Sequence, residues 1–310
     1  MNRILHLSGG ITSHAAGQRL RDVGHDFRMV FADTIIEDND TYRFLIEGSA
    51  HLSGVLKSDI EYLLALARTL PELESGTREF RAETLLARKR SLSELRMRTA
   101  LIIPALTWLC DGRTPFEVFR DVRYLGNSRV DPCSKILKRD MLHRWAGDPR
   151  ADESAIHCFG LDWTEPKRVR RFSRAMAPRN VAFPLGDSPF MTKVEVIESV
   201  RASGIEPPRL YYYGFPHGNC GGGCIKFGQK QAAILLRTRP KYFGWWADEE
   251  QDMREFLDRD IAILRDRRIG HEGPLPLRVL QKRIEDGAGC DLFDVGSCNC
   301  FELEEEGAEV

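Results

Sequence analysis

The chain has 310 residues, 42% hydrophobic and 29% charged, which suits one large α/β domain or one domain with an appendage and argues against a disordered chain. Lys and Arg number 45 against 46 Asp and Glu, a formal net charge of −1, so no global field draws the protein to nucleic acid and any such partner must meet a local patch. No apolar run approaches the ~18 residues of a membrane span, and the first residues are too mixed for a secretory signal; the expected setting is cytoplasmic, with no membrane partner.

Residues 3–7 form a short apolar run that reads as a buried strand, cut by Ser8-Gly9-Gly10 and followed by a helix to about Leu20. FRMVFADT, 27–34, reads as a second strand ending in polar residues. NDTYRFLIEGSA reads as a helix capped by Asn39 or Asp40. DIEYLLALARTL and the whole run ETLLARKRSLSELRMRTALIIPALTWL read as helices, the latter carrying Arg88, Lys89, Arg90, Arg96 and Arg98 as a solvated face or an anion-facing surface. Strands follow at 154–162 and 180–185. A helix led by Thr192 stops at Gly204. Strand–helix alternation of this kind argues for an α/β fold: a mostly parallel twisted sheet with helices on both faces. The character changes near Tyr211, where a glycine-rich cysteine loop, an aromatic helix (PKYFGWWADEE) and an acidic tail (FELEEEGAEV) begin. The aromatic cluster reads as core packing and the tail as solvated.

The turn SGGITS bears chemistry. Glycines after a strand let backbone N–H groups approach a phosphate without interference from Cβ, and a helix N-terminus adds partial positive charge. The hydroxyls of Ser8, Thr12 and Ser13 can donate to phosphate oxygens, although the GK[ST] of the nucleoside-triphosphate P-loop is missing. Asp33 and Thr34 sit at the carboxyl end of the second strand, where ligands of open parallel sheets bind. Of the two histidines flanking the loop, His14, in the first helical turn, has the better claim to a phosphate than His6, inside the strand.

SGG-x-x-S, FADT and the TYRFL helix together resemble the PP-loop ATP pyrophosphatases, and more closely their phosphoadenylyl-sulfate (PAPS) reductase-like branch, whose usual loop is SGGKDS. The chain keeps Ser8, Gly9, Gly10 and Ser13 and carries Ile11 and Thr12 in place of the lysine and aspartate. VDPCSKILKRDML, 130–142, is similar to the family's Cys-Cys-x-x-x-Lys segment, with Cys133 on the first cysteine, Ser134 in place of the second, and Lys138 on the lysine. HCFGLDWTEPKRVRR resembles the family strand ending in Gly-x-x-x-x-Glu-x-x-x-Arg, here with Glu165 and Arg168 or a neighbour, so the resemblance implies Lys138, Glu165 and Arg168 as catalytic residues. The stretch 183–224 resembles the family's run from a Pro-Leu strand end to a cysteine pair. The likeness covers roughly 3–45 and 125–230. It implies a HUP-like PP-loop fold, with a nucleotide-binding domain over 1–215, a helical insert at about 50–120, and a Cys-rich, mainly helical region over 216–310.

Eight cysteines in a reducing setting read as metal, cluster or redox chemistry where they crowd. Cys220 and Cys224 lie in HGNCGGGC, whose glycines allow amides to point at thiolates. The resemblance adds Cys133, and Cys298 or Cys300 in GSCNCF offers a fourth ligand. The set suits a [4Fe–4S] cluster or, alternatively, Zn²⁺. Cys110, Cys158 and Cys290 read as small buried hydrophobes.

The resemblance implies binding of an adenine nucleotide and, first, ATP-dependent adenylation of an acceptor coupled to sulfur transfer, with Mg²⁺, a nucleic-acid or nucleotide acceptor and a sulfur-donor protein. The alternative is a sulfonucleotide reductase releasing sulfite, although the family's C-terminal Glu-Cys-Gly-Leu/Ile-His segment is absent. A third reading is a nucleotide-binding regulatory module that has lost catalysis.

Overall fold

The computed structural model describes residues 2–127, 130–147 and 154–296. Its centre is a five-stranded, all-parallel sheet of order β3-β2-β1-β4-β5, built from β1 (Arg3–Leu7), β2 (Phe27–Asp33), β3 (Leu106–Cys110), β4 (Ile156–Phe159) and β5 (Asn180–Ala182). Period-two alternation decides what each face meets. Leu5, Leu7, Met29 and Phe31 point into one core, and Ile4, Val30 and Ala32 into another.

The first face is covered by α1 (Ile11–Asp22), α2 (Asn39–Ser53), α3 (Lys57–Arg68) and α4 (Arg78–Ile102). After α5 (Pro115–Asp121), a helical stretch made of α6 (Pro132–Ser134), a π-turn (Lys135–Arg139) and α7 (Asp140–Ala146) follows; Leu142 and Trp145 close the second face. Next come α8 (Pro166–Met176), α9 (Lys193–Ala202) and α10 (Arg209–Tyr212). The chain then adds α11 (Gln229–Thr238), α12 (Pro240–Leu257), a small antiparallel pair of β6 (Leu264–Asp266) and β7 (Gly273–Leu275), and α13 (Leu277–Glu285).

Two expectations change. The long apolar run after Glu83 is not all helix: α4 ends at Ile102, and Leu106–Cys110 pairs with β2 as the sheet's edge strand, so the stretch at 50–120 contributes to the sheet and is not a purely helical insert. Pro104 is the cause, since it disfavours α geometry in the residue before it, and Ile103 sits at φ −121°, ψ 71°. The cap of α2 is Asp38, whose carboxylate accepts the Asp40 N–H at 2.8 Å, rather than Asn39 or Asp40. Thr192 caps α9 as expected, with Glu195 completing a capping box.

Among the described residues, the region after Tyr211 shares its core with the first half of the chain. Phe215, Tyr242, Phe243, Trp245 and Trp246 are buried against Ile36, Leu73, Phe116 and Phe119 from the first half of the chain. The aromatic helix is therefore core packing, as its composition suggested.

Candidate functional site

The strand order reverses between β1 and β4, the position at which open α/β sheets bind ligands beyond their carboxyl ends. A cavity of about 570 Å³ lies there. Ser8, Gly10, Ile11, Thr12 and Ser13 form one wall. The loop is tied by its own serines. Ser13 Oγ donates to Gly10 O at 2.9 Å and accepts the Ser8 N–H at 3.1 Å, and the two hydroxyls lie 3.2 Å apart. Gly10 caps α1 without a side-chain hydrogen bond, and the first turn of α1 holds no acidic residue, so no carboxylate of that turn offsets the positive end of the helix. The Ile11 N–H donates to the Tyr211 hydroxyl at 3.3 Å, which puts an oxygen against this helix end.

Two glycines give the loop its shape. Gly9 turns at φ +74°, and an added Cβ would lie 2.7 Å from Thr41 Cγ2. Gly160, at the end of β4, lets that strand touch the first turn of α1: its Cβ would lie 2.6 Å from Ser13 N and 2.7 Å from Thr12 C. The Gly of the HCFGLD stretch is thus the back of the loop.

Positive charge comes from outside the loop. The Ile11 side chain is fully buried in the first core. Lys138, from the π-turn, lines the cavity while only 5% exposed, 3.6 Å from the carboxylate of Glu37. Burial raises the Glu37 pKa and the Lys138 ammonium opposes that rise. Arg168 lines the cavity and is paired with Glu165, the N-cap residue of α8. Lys193, at the start of α9, completes the set. Its ammonium lies 5.0 Å from the Tyr211 ring centroid and donates to Pro216 O at 2.7 Å, and burial lowers its pKa. Asp162 and Glu165 supply carboxylates, Leu7, Phe31, Phe159 and Phe172 apolar surface, and His217 an imidazole.

The structure thus brings Ser8, Gly10, Thr12, Ser13, Lys138, Glu165 and Arg168 to one cavity, with Gly9 beneath it. Asp33 and Thr34 turn elsewhere. Asp33 is buried and accepts hydrogen bonds from Ile35 N at 2.7 Å, Tyr42 Oη at 2.7 Å and Trp108 Nε1 at 3.1 Å, so it fastens β2 to α2 and β3 rather than facing the cavity. The Thr34 hydroxyl donates to Glu37 at 3.0 Å and lies 3.9 Å from Cys220 Sγ. Lys193, Tyr211 and Asp162 were not expected at the cavity, whereas His217, whose sequence reading was a structural histidine with a ligand or substrate contact as the minor alternative, does line it. Lys193 carried the one available signal, a lysine next to the helix cap.

The histidines exchange roles. His6 lines the cavity, stacked on Phe159 at 4.2 Å and 2.8 Å from His157 Nδ1. His14 faces α2, edge-on to Phe44 at 5.6 Å, with no hydrogen-bond partner for either ring nitrogen among the described residues. Burial depresses the His14 pKa to about 3. Below pH ~6.5 the unfolded chain takes up a proton that the folded chain refuses down to about pH 3, so this residue removes roughly 1.4 kcal/mol of stability per pH unit as the pH falls through that window. His14→Leu is expected to match or exceed the parent's stability at pH 7 and to lose less stability than the parent between pH 7 and pH 5, as read from urea midpoints. An equal acid loss in both proteins contradicts this placement.

Cys133 and Cys220 are buried in one apolar cluster, Cys224 is buried as well, and none of the three lines the cavity. The Cys220 N–H donates to Glu37, and Cys220 adopts a left-handed φ of 52°. Among the described residues no group of three or more His, Cys, Asp or Glu side chains is placed to hold a metal. Cys298 and Cys300 lie outside the described residues.

The class defined by this geometry is an α/β protein with a doubly covered parallel sheet and a cavity at its switch point. No protein-family model matches the chain, and neither a curated protein nor a solved structure matches it significantly. No helix among the described residues is long and apolar enough to cross a membrane.

Proposed function

We propose that the cavity binds an adenine nucleotide and that the protein is a PP-loop enzyme of PAPS reductase-like type, adenylating an acceptor with ATP as the first half of a sulfur transfer. The observation that carries the reading is the meeting of the Ser8–Ser13 loop with Lys138, Arg168 and Lys193 in one cavity. Phosphates against the loop amides displace the Tyr211 hydroxyl from Ile11 N–H and take charge-assisted hydrogen bonds from the lysines. Leu7, Phe31 and Phe159 cover the purine. Glu165 holds Arg168 in place for the α-phosphate, where charge develops as an acceptor oxygen attacks and pyrophosphate leaves. Mg²⁺ bound with ATP would be held by the carboxylates of Asp162 and Glu165 and would neutralise phosphate charge.

One observation favours the reductase reading. Val295 and Gly296 line the cavity, and Cys298 and Cys300 follow within four residues of sequence; on that reading one of their thiolates would attack the sulfonucleotide's sulfur, the nucleotide leaving, and an added dithiol would release sulfite from the resulting S-sulfocysteine. Parallel assays separate the two readings. Pyrophosphate released from ATP on addition of acceptor supports adenylation, and sulfite released from adenylyl sulfate or its 3′-phosphate supports reduction. Binding of one of these nucleotides with turnover of none reduces the protein to a nucleotide-binding module, and binding of none refutes the site.

A further inference from the structure

At the rim of this cavity the chain concentrates positive charge that the proposed chemistry does not use. Helix α8, PKRVRRFSRAM, carries Lys167, Arg168, Arg170, Arg171 and Arg174 and no acidic residue, in a protein of net charge −1. At about 100° per residue, Arg168 and Phe172 share the side facing the cavity, while Lys167, Arg170, Arg171 and Arg174 fall in one stripe of about 100° beside it. All four of these are exposed. Immediately before the helix, between the cavity-lining Asp162 and Thr164, stands Trp163, 44% exposed. Its ring lies 5.5 Å from that of Phe190, 57% exposed, and its indole N–H donates to Met191 O at 3.0 Å, which fixes the ring's orientation.

We propose that this rim is a docking surface for a single strand of nucleic acid, which lies along the α8 stripe and stacks an unpaired base on Trp163 and Phe190, beside the cavity mouth. The inference rests on the nucleotide-site reading and narrows its acceptor, a nucleic acid or a nucleotide, to a single strand held at this rim. Charge complementarity selects a polyanion. The exposed aromatic pair selects unpaired bases over a duplex, whose bases are already stacked. A lipid surface fits less well, because the apolar side of α8 is turned inward: Phe172 packs edge-on against Phe159 at 4.3 Å and Phe183 at 6.1 Å, leaving no apolar face to enter a bilayer. The stripe from Lys167 to Arg174 is about 10 Å long, enough for two or three phosphates.

The test is fluorescence anisotropy with labelled single-stranded DNA and RNA oligonucleotides and their duplexes, on the full chain across a salt series. The parent is expected to bind single strands more tightly than duplexes. The exposed triple variant Lys167→Gln, Arg170→Gln, Arg174→Gln is expected to bind at least about tenfold more weakly at low salt, with a slope of log affinity against log salt shallower by about 2. Trp163→Ala is expected to weaken single-strand binding at least about fivefold and to leave the salt slope unchanged. ATP binding by these variants serves as the independent control. Oligonucleotide binding that is absent, insensitive to the variants, or stronger for duplex overturns the proposal, as does equally variant-sensitive binding to phosphatidylserine–phosphatidylcholine vesicles without oligonucleotide binding. Loss of these effects while ATP still binds refutes the docking surface alone. Intact oligonucleotide binding by a parent that binds no nucleotide refutes the cavity reading instead.

Discussion

Gly160→Ala is expected to disable the loop from behind. The new Cβ would lie 2.6–2.7 Å from backbone atoms of Thr12 and Ser13, and backbone in the first turn of a helix cannot move aside as a side-chain tip can. Relief requires α1 to separate from β4, which disturbs the packing of Ala15 and Ala16 in the first core and the Ser8–Ser13 hydrogen bonds together. The expected loss is roughly 1–3 kcal/mol or more, with a clearly lowered Tm. Nucleotide affinity should fall with it even where the protein remains folded. Thermal melts and ATP titration of the same sample check both effects, and a parent-like Tm with parent-like affinity contradicts the described contact.

The second large effect is expected at Lys138. Lys138→Met removes a buried cation from the cavity and leaves Glu37 buried without it, a change of about 3–5 kcal/mol when one partner of a buried pair is lost. Burial already raises the Glu37 pKa, and without Lys138 it rises further. A carboxyl whose folded pKa is raised favours folding at low pH and loses that contribution as the pH climbs through the folded pKa, so the variant's deficit should grow from pH 5 to pH 8. Adding Glu37→Gln is expected to restore most of the stability, since the amide can still accept the Cys220 N–H. The double variant should nonetheless bind ATP at least about tenfold more weakly than the parent, because a charge-assisted hydrogen bond contributes about 1.5–3 kcal/mol. Recovery of full affinity along with stability would assign Lys138 to the fold and not to the ligand.

Much of the architecture was readable before the coordinates. The apolar runs at 3–7, 27–34, 154–162 and 180–185 are strands because a strand buried on both faces is apolar throughout, and the helices between them fix a parallel sheet. Strand β3 escaped because its apolar residues continue the pattern of α4 with no polar gap; Pro104 was the only mark of the boundary. The loop's place as a turn between a strand and a helix was legible from its glycines and hydroxyls. The cations were harder to see. Lys193 reaches the cavity through the packing of α9 on α1, and Tyr211 reaches it from α10, contacts that local periodicity does not encode. His14 misled for a related reason: its place in the first turn is local, whereas the direction of its ring is set by Gly48, whose missing Cβ leaves room for it on α2. Asp33 lies at the expected strand end, yet Tyr42 and Trp108 claim its carboxylate.

Phosphate binding at the first loop is the claim beneath the rest, and Gly10 tests it without confounding stability. Gly10 lies at φ −109°, a conformation any residue adopts, and the nearest atom to an added Cβ is the Tyr211 hydroxyl at 2.8 Å, a side-chain tip that can move. The decisive measurement is calorimetric titration of ATP into the parent and Gly10→Val at matched Tm. The account requires the parent to bind ATP at one site and the variant, its loop face now covered, to lose at least about tenfold in affinity, or 1.4 kcal/mol. Equal affinity in the two proteins, or no nucleotide binding by the parent, would contradict it.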